Sequence, residues 1–293
     1  MIYKAENEKL VIQVNSLGAE LCSVVDKESG REYMWSGDPA YWSGISPVLF
    51  PFIGCLKNGG YRYEGKEYEI GKHGFARRME FTCSGQEQDA LWFTLMDTEE
   101  TQKSYPFAFC LEAGYVLREK TIQVKWRVTN RDEKEMYFAL GGHPAFVCPP
   151  AYQEGNRTEC SILFEGKERI ESERIGTDGL IIEGHNTYEL EQGILPVTTG
   201  IFDGDALVLD NSQVKKISLC DKDKQPYVSV IFDTPYVGVW SKPQDDATYI
   251  CIEPWYGRCD SSNFEGELSE RPWGRKLSQG ACFEAGYEIC IEK

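Results

Sequence analysis

Apolar residues arrive in short bursts from one end of this chain to the other: KLVIQVN (9–15), AELCSVVD (19–26), ALWFTLM (90–96), TIQVKWRVTN (121–130), YVSVIFD (227–233), TYICIEPW (248–255) and ACFEAGYEICIE (281–292). Within each burst, Val, Ile, Tyr, Phe, Trp and Thr alternate with polar residues or run together for a few positions, and Gly, Asp, Asn and Pro fill the gaps. That pattern specifies pleated strands joined by turns. Roughly a dozen or more strands follow, too many for one small sandwich, so the chain is expected to be all-β: a large antiparallel β-sandwich formed by residues 1–293 as one domain. No Pro/Ser linker, internal repeat or low-complexity tract divides it. Residues 154–195 are more charged and less regular, and read as a long excursion with a few edge strands. GGYRYEGK (59–66) reads as a hairpin turn. Helical signals are weak, the best being short pieces at 39–42 and 263–270.

Charge limits what such a sandwich can bind. With 31 Lys and Arg against 47 Asp and Glu the formal charge is −16, which argues against nucleic acid and anionic membranes as partners, because phosphate binding needs a basic surface. Charges interrupt every apolar run at the N-terminus, and no run approaches the roughly 18 apolar residues of a membrane span, so a soluble, cytoplasmic protein is expected. The eleven cysteines are odd in number, scattered from Cys22 to Cys290 and free of CxxC pairs, as expected for reduced thiols.

The three histidines form no HxH or HxxxH pair and no cysteine has a zinc-like spacing, so no metal is expected. A phosphate loop, a GxGxxG after a strand and a GxSxG are also absent. Proton transfer by His and carboxylates, or binding alone, remains. His73 in IGKHGFARR, His143 in FALGGHPAF and Glu253 in YICIEPWYG each end a strand-like run beside glycine, proline or an aromatic. Glycine permits close backbone approach and proline fixes the chain, so GGHPAF reads as a rigid bend presenting His143. A strand running into Pro254 and Trp255 should desolvate Glu253 and raise its pKa from about 4.3 toward that of a useful base, with a histidine near 6.5 as the partner acid. Structural roles also fit: a hydrogen-bonding turn for each histidine, and an ion pair with Arg258 or Lys242 for Glu253. His185, in IIEGHNTYEL, reads as an ordinary loop residue. Trp35, Trp42, Trp240, Trp255 and Tyr256 gather near the same segments, where aromatic faces suit either core or the C–H faces of a sugar. Arg77, Arg78 and Lys57 offer fixed donors.

PVLFPFIGCLKN (47–58), KHGFARRMEF (72–81), GGHPAF (141–146), DALVLD (205–210), VGVWSKP (237–243) and CIEPWYG (251–257) occur in the order seen in the aldose 1-epimerase (galactose mutarotase) family, and the chain resembles its LacX-type branch from about Leu10 to Ile291. The resemblance implies a large antiparallel β-supersandwich and interconversion of the α and β anomers of a hexose or related aldose, with a small sugar as partner and no cofactor. It implies His143 as the acid at the ring oxygen, Glu253 as the base at the anomeric hydroxyl, and His73 as a hydrogen-bonding group near the ring oxygen. Asp205, with Asp203 as a rival, matches the aspartate that grips sugar hydroxyls. Trp240, Arg77 and Lys57 complete the expected substrate-binding set. Acid and base are expected to face each other across a space the size of a pyranose. Many relatives carry an arginine where this chain has Cys55, a loss that should weaken or redirect sugar binding without removing the acid and base; Lys57 or Arg77 is expected to substitute. A non-catalytic carbohydrate-binding protein and a hexose-phosphate mutarotase with a cationic pocket are the alternatives. A glycoside hydrolase would need a second flanking carboxylate, for which only Asp203 and Asp205 offer themselves.

Overall fold

Along the strand Thr121–Asn130, Ile122, Val124, Trp126 and Val128 point inward while Lys125 is exposed, the period-2 pattern that one buried and one solvated face require. The computed structural model describes all 293 residues, and two large antiparallel sheets dominate it. Nine strands form one sheet in the order Ile194–Pro196, Ser161–Phe164, Lys216–Cys220, Pro226–Phe232, Cys282–Ile291, Thr121–Asn130, Phe109–Arg118, Ala90–Met96, Thr82–Gln86. The second sheet runs Ile181–Glu189, Arg169–Ile175, Leu207–Leu209, Tyr236–Trp240, Tyr249–Tyr256, Leu140–Gly142, Val48–Leu49, with Ala145–Val147 as an eighth strand also paired to Tyr249–Tyr256. Ile2–Glu6, Leu10–Asn15 and Glu20–Asp26 make a smaller sheet, and their Ala5, Leu10 and Leu21 join Ile291 from the other end of the chain in the same apolar core.

Residues 154–195 do supply edge strands, and they supply them to both large sheets. Ser161–Phe164 and Ile194–Pro196 close one edge of the nine-stranded sheet, while Arg169–Ile175 and Ile181–Glu189 close an edge of the other. Their charge reflects those edge positions, where one face is largely wet. His185 therefore sits in a strand, opposite Glu173, and not in a loop. In the hairpin Gly60–Tyr63/Lys66–Glu69, Glu64 and Gly65 both take positive φ, which matches the right-handed twist of the flanking strands.

Of the two short helical expectations, one is met in part. Residues 39–41 form a turn, and only Leu268–Glu270 within 263–270 is helical, as a single 3₁₀ turn. The one α-helix is Glu99–Ser104, started by reciprocal hydrogen bonds between Thr98 and Thr101; Thr98 followed by two glutamates carried that signal. No helix is long and apolar enough to cross a membrane.

Candidate active site

The strand Tyr249–Tyr256 sorts its side chains by parity. Ile250 and Ile252 enter the main core, whereas Tyr249, Cys251 and Trp255 pack on the opposite face in two small aromatic clusters. Glu253 shares that second face and is 1 % exposed. GGHPAF is not a bend. It runs extended beside this strand, Gly141 paired with Trp255 and Ala145 with Cys251, so the register carried between them sets His143 opposite Glu253. Pro144 interrupts the ladder without turning the chain, and its carbonyl accepts the Ile252 N–H. The His143 N–H donates to the Pro47 carbonyl. Gly141 is required because a Cβ there would lie 2.6 Å from the Trp255 ring. His143 Nε2 thus comes to 3.2 Å from Glu253 Oε2, out of line for a hydrogen bond, since that oxygen has no hydrogen-bond partner.

His73 is held from two sides by Gly54: its own N–H donates to the Gly54 carbonyl at 3.0 Å, and its Nδ1 accepts the Gly54 N–H at 3.1 Å. An Nδ1 that accepts must be unprotonated, which leaves Nε2–H as a donor. His73 and Gly74 both adopt left-handed backbone, φ 66° and 69°, and this turn brings the His73 ring edge-on to His143 at 5.6 Å between centroids.

A cleft of about 260 Å³ opens over these groups, just below the range for ligand pockets, about 300–1,000 Å³. His73, His143, Glu253, Arg77, Asp205 and Trp240 all line it. Trp42 stacks on His143 at 4.7 Å, and Trp240 meets both edge-on at 5.6 Å. Two lysines add to the rim without having been singled out from the sequence for substrate contact: Lys72, next to His73, and Lys242, two residues after Trp240. Asp205 (φ 74°) accepts the Ala206 N–H and lines the cleft, whereas its rival Asp203 is exposed outside the lining.

Lys57 does not belong to the cleft. A 3₁₀ turn at Lys57–Gly59 carries it into a separate groove, where its ammonium pairs with Glu265. It cannot replace the family arginine from there. Cys55 lies behind the cleft wall: its Sγ would be 2.9 Å from a Cβ on Gly179, the residue that lines the cleft in front of it. Arg258 is committed to Glu173 at 2.9 Å, with both side chains nearly buried, so the ion pair considered for Glu253 does not form with it.

Burial sets the protonation of the core pair. It raises the Glu253 carboxyl well above the usual carboxylate range, with Lys72 opposing and Asp205 adding. Burial also lowers His143 to about 3, helped by Lys72 and Arg77, and lowers His73 well below its ordinary value, with His143 itself the next cause. Taking both charges out of water at once costs more than their attraction returns without further hydrogen bonds, so in the bare cleft the proton of the pair rests on Glu253 and both histidines are neutral.

The chain as a whole is similar to known proteins. The aldose 1-epimerase family profile matches residues 1–288. The chromosomal protein LacX of Lactococcus lactis subsp. lactis is 31 % identical over 301 aligned residues that cover 99 % of each chain. The galactose mutarotase related enzyme from Lactobacillus acidophilus superposes with a TM-score of 0.93 at 31 % identity, covering 100 % of this chain and 98 % of that one. A galactose mutarotase-like protein from Lactobacillus casei ATCC 334 gives 0.91 at 30 %, over the full length of both. The all-β, multi-sheet antiparallel architecture is the galactose mutarotase-like fold, and the chain belongs to the aldose 1-epimerase family.

Proposed function

We propose that the protein interconverts the α and β anomers of an aldose by opening and reclosing the sugar ring, with Glu253 and His143 exchanging protons with the substrate. The observation that carries this reading is their 3.2 Å separation at the floor of the cleft. Acid and base were expected to face each other across a pyranose, but they stand side by side. The chemistry accommodates that: the anomeric oxygen and the ring oxygen are bonded to the same carbon, so the groups serving them can be neighbours.

One proton belongs to the pair. Once a bound sugar has aligned the two groups, passing it from Glu253 to His143 yields a carboxylate and an imidazolium without uptake from solvent, and sugar hydroxyls supply the hydrogen bonds that the charged form lacks in the bare site. Glu253 then takes the proton of the anomeric hydroxyl while His143 gives its proton to the ring oxygen, and the C1–O5 bond breaks to leave the open-chain aldehyde. Rotation about C1–C2 and the reverse transfers close the other anomer. His73 Nε2–H donates near the ring oxygen, Asp205 and Arg77 bind hydroxyls, and Trp240 packs against the sugar. The uncatalysed reaction is comparatively easy, so positioning and paired proton transfer suffice.

Anomer exchange measured by NMR or polarimetry on freshly dissolved α-glucose and α-galactose tests this. Rates equal to buffer across a panel of sugars that nonetheless bind would leave a carbohydrate-binding protein. The panel should include aldose phosphates, because Lys72, Arg77 and Lys242 line the cleft with no carboxylate paired to them, an arrangement suited to an anionic substituent. His143→Asn should slow exchange by a factor of about 10² or more.

The pH profile follows from the shifts. His143 is depressed, so the pair gains a second proton only as pH falls through about 3; Glu253 is raised, so the shared proton is lost only as pH climbs past the usual carboxylate range. We expect kcat/KM to be retained down to about pH 4, while an acid limb centred at the ordinary carboxylate value of about 4.3 or higher contradicts the shared-proton pair.

A further inference from the structure

No linear spacing of His and Cys in the chain suits a metal. Sheet register supplies what linear spacing does not. Cys251 precedes Glu253 by two residues and so shares its face of the strand, and His143 lies on the neighbouring strand between the positions paired with Trp255 and Cys251. The ligand atoms of His143, Cys251 and Glu253 lie within 4.8 Å of one another, and all three side chains are buried. Glu253 Oε2 has no hydrogen-bond partner, and Cys251 takes no part in the proton exchange proposed above.

We propose that His143, Cys251 and Glu253 form a binding site for a thiophilic divalent cation, Zn²⁺ in particular, and that its occupation withdraws both reacting groups from the sugar. A thiolate, an imidazole and a carboxylate are the ligand types that zinc takes, and three of them leave a fourth position open to the cleft. Zinc bonds of about 2.0–2.3 Å place tetrahedral ligands roughly 3.3–3.8 Å apart; the His143–Glu253 distance is already there, and the others need shifts of about an ångström. Charge favours the ion once it is seated. A thiolate and a carboxylate cancel Zn²⁺, and neither anion is tolerated alone at this depth. Binding is therefore Zn²⁺ plus one thiol and one carboxylic acid giving the Zn–S and Zn–O bonds and two protons released to solvent. Lys72 and Arg77 on the rim repel a cation, so both anions are needed and loss of the thiol should abolish the site. The other cluster of ligand type, Glu173, His185 and Asp210, differs in that Arg258 already neutralises Glu173.

Cobalt(II) titration of the intact protein tests the proposal, because thiolate-bound Co²⁺ gives a near-ultraviolet charge-transfer band that other ligands do not. The wild type should show the band and lose it to Zn²⁺. Cys251→Ala should lack it and bind Zn²⁺ more weakly by over about 100-fold, beyond the 10–100-fold that an outer-shell partner costs; Cys251→Ser, closer in size, repeats the measurement if the alanine variant misfolds. With eleven cysteines in the chain, only a signal that depends on Cys251 counts. An absent band, or one unchanged in the variants, overturns the site. Inhibition rests on the mutarotase reading: micromolar Zn²⁺ should stop anomer exchange in the wild type, reversibly with EDTA, while Cys251→Ala keeps its exchange rate and ignores the ion. A Cys251-dependent cobalt band, together with no sugar exchange by the same protein freed of metal, would uphold the metal site and sink the sugar chemistry alone.

Discussion

Replacing Glu253 with Gln is expected to slow anomer exchange by a factor of about 10² or more and, at the same time, to raise the melting temperature at pH 7–8. The two effects have one cause. The folded protein keeps on Glu253 a proton that the unfolded chain releases above the ordinary carboxylate range. Stability therefore falls as pH rises from that range toward the raised folded value, and the contribution is fully present only at lower pH. Glutamine keeps the shape and carries no such cost. Each kcal/mol recovered should appear as about 2–4 °C in the melting temperature, and the gain should shrink as pH falls through the ordinary carboxylate value of about 4.3, below which the carboxyl is protonated in both states. An activity loss with no stability gain at neutral pH would mean that Glu253 is ionised in the bare cleft.

Gly74→Ala is expected to be the most damaging small substitution near the cleft. The φ of Gly74 is +69°, and a Cβ there would sit 2.3 Å from the Phe50 carbonyl oxygen and 2.7 Å from the Pro51 nitrogen. Both obstacles are backbone. The Phe50 carbonyl also accepts the N–H groups of Phe75 and Ala76, so the clash cannot relax without breaking the contact that seats the His73 turn. Strain and steric conflict together should cost about 2–4 kcal/mol and displace His73 and Arg77 from the cleft. Denaturant unfolding measures the first effect and sugar affinity the second. A variant within about 0.5 kcal/mol of wild type would show that this turn can shift freely.

How much of this could be read from the residues depends on whether each property is local. Strand content could, because alternation in segments such as TIQVKWRVTN is a statement about neighbours. Desolvation of Glu253 could as well, since an acid inside YICIEPWY has little choice once that strand is central. Register could not. Nothing in GGHPAF says that His143 lies opposite Glu253, and a glycine-rich histidine segment with a proline reads as a bend until its hydrogen bonds to Pro47 and Ile252 are known. Lys57 was misplaced for a similar reason: two residues from Cys55, it leaves on a 3₁₀ turn toward Glu265. Lys72 and Lys242 were within the motifs quoted for His73 and Trp240, and adjacency was the signal available for them.

Glu253 and His143 stand on or between strands in the middle of a sheet, whereas Lys72, Arg77, Asp205 and Lys242 hang from connections around the mouth of the cleft. In the proposed reaction, bond-breaking and the choice of substrate are therefore anchored in parts of the molecule with different tolerance to change. On that reading, substitutions at the mouth exchange one sugar substituent for another while the floor keeps the same bond-breaking, so descendants of one such chain can diverge in diet without reinventing their chemistry.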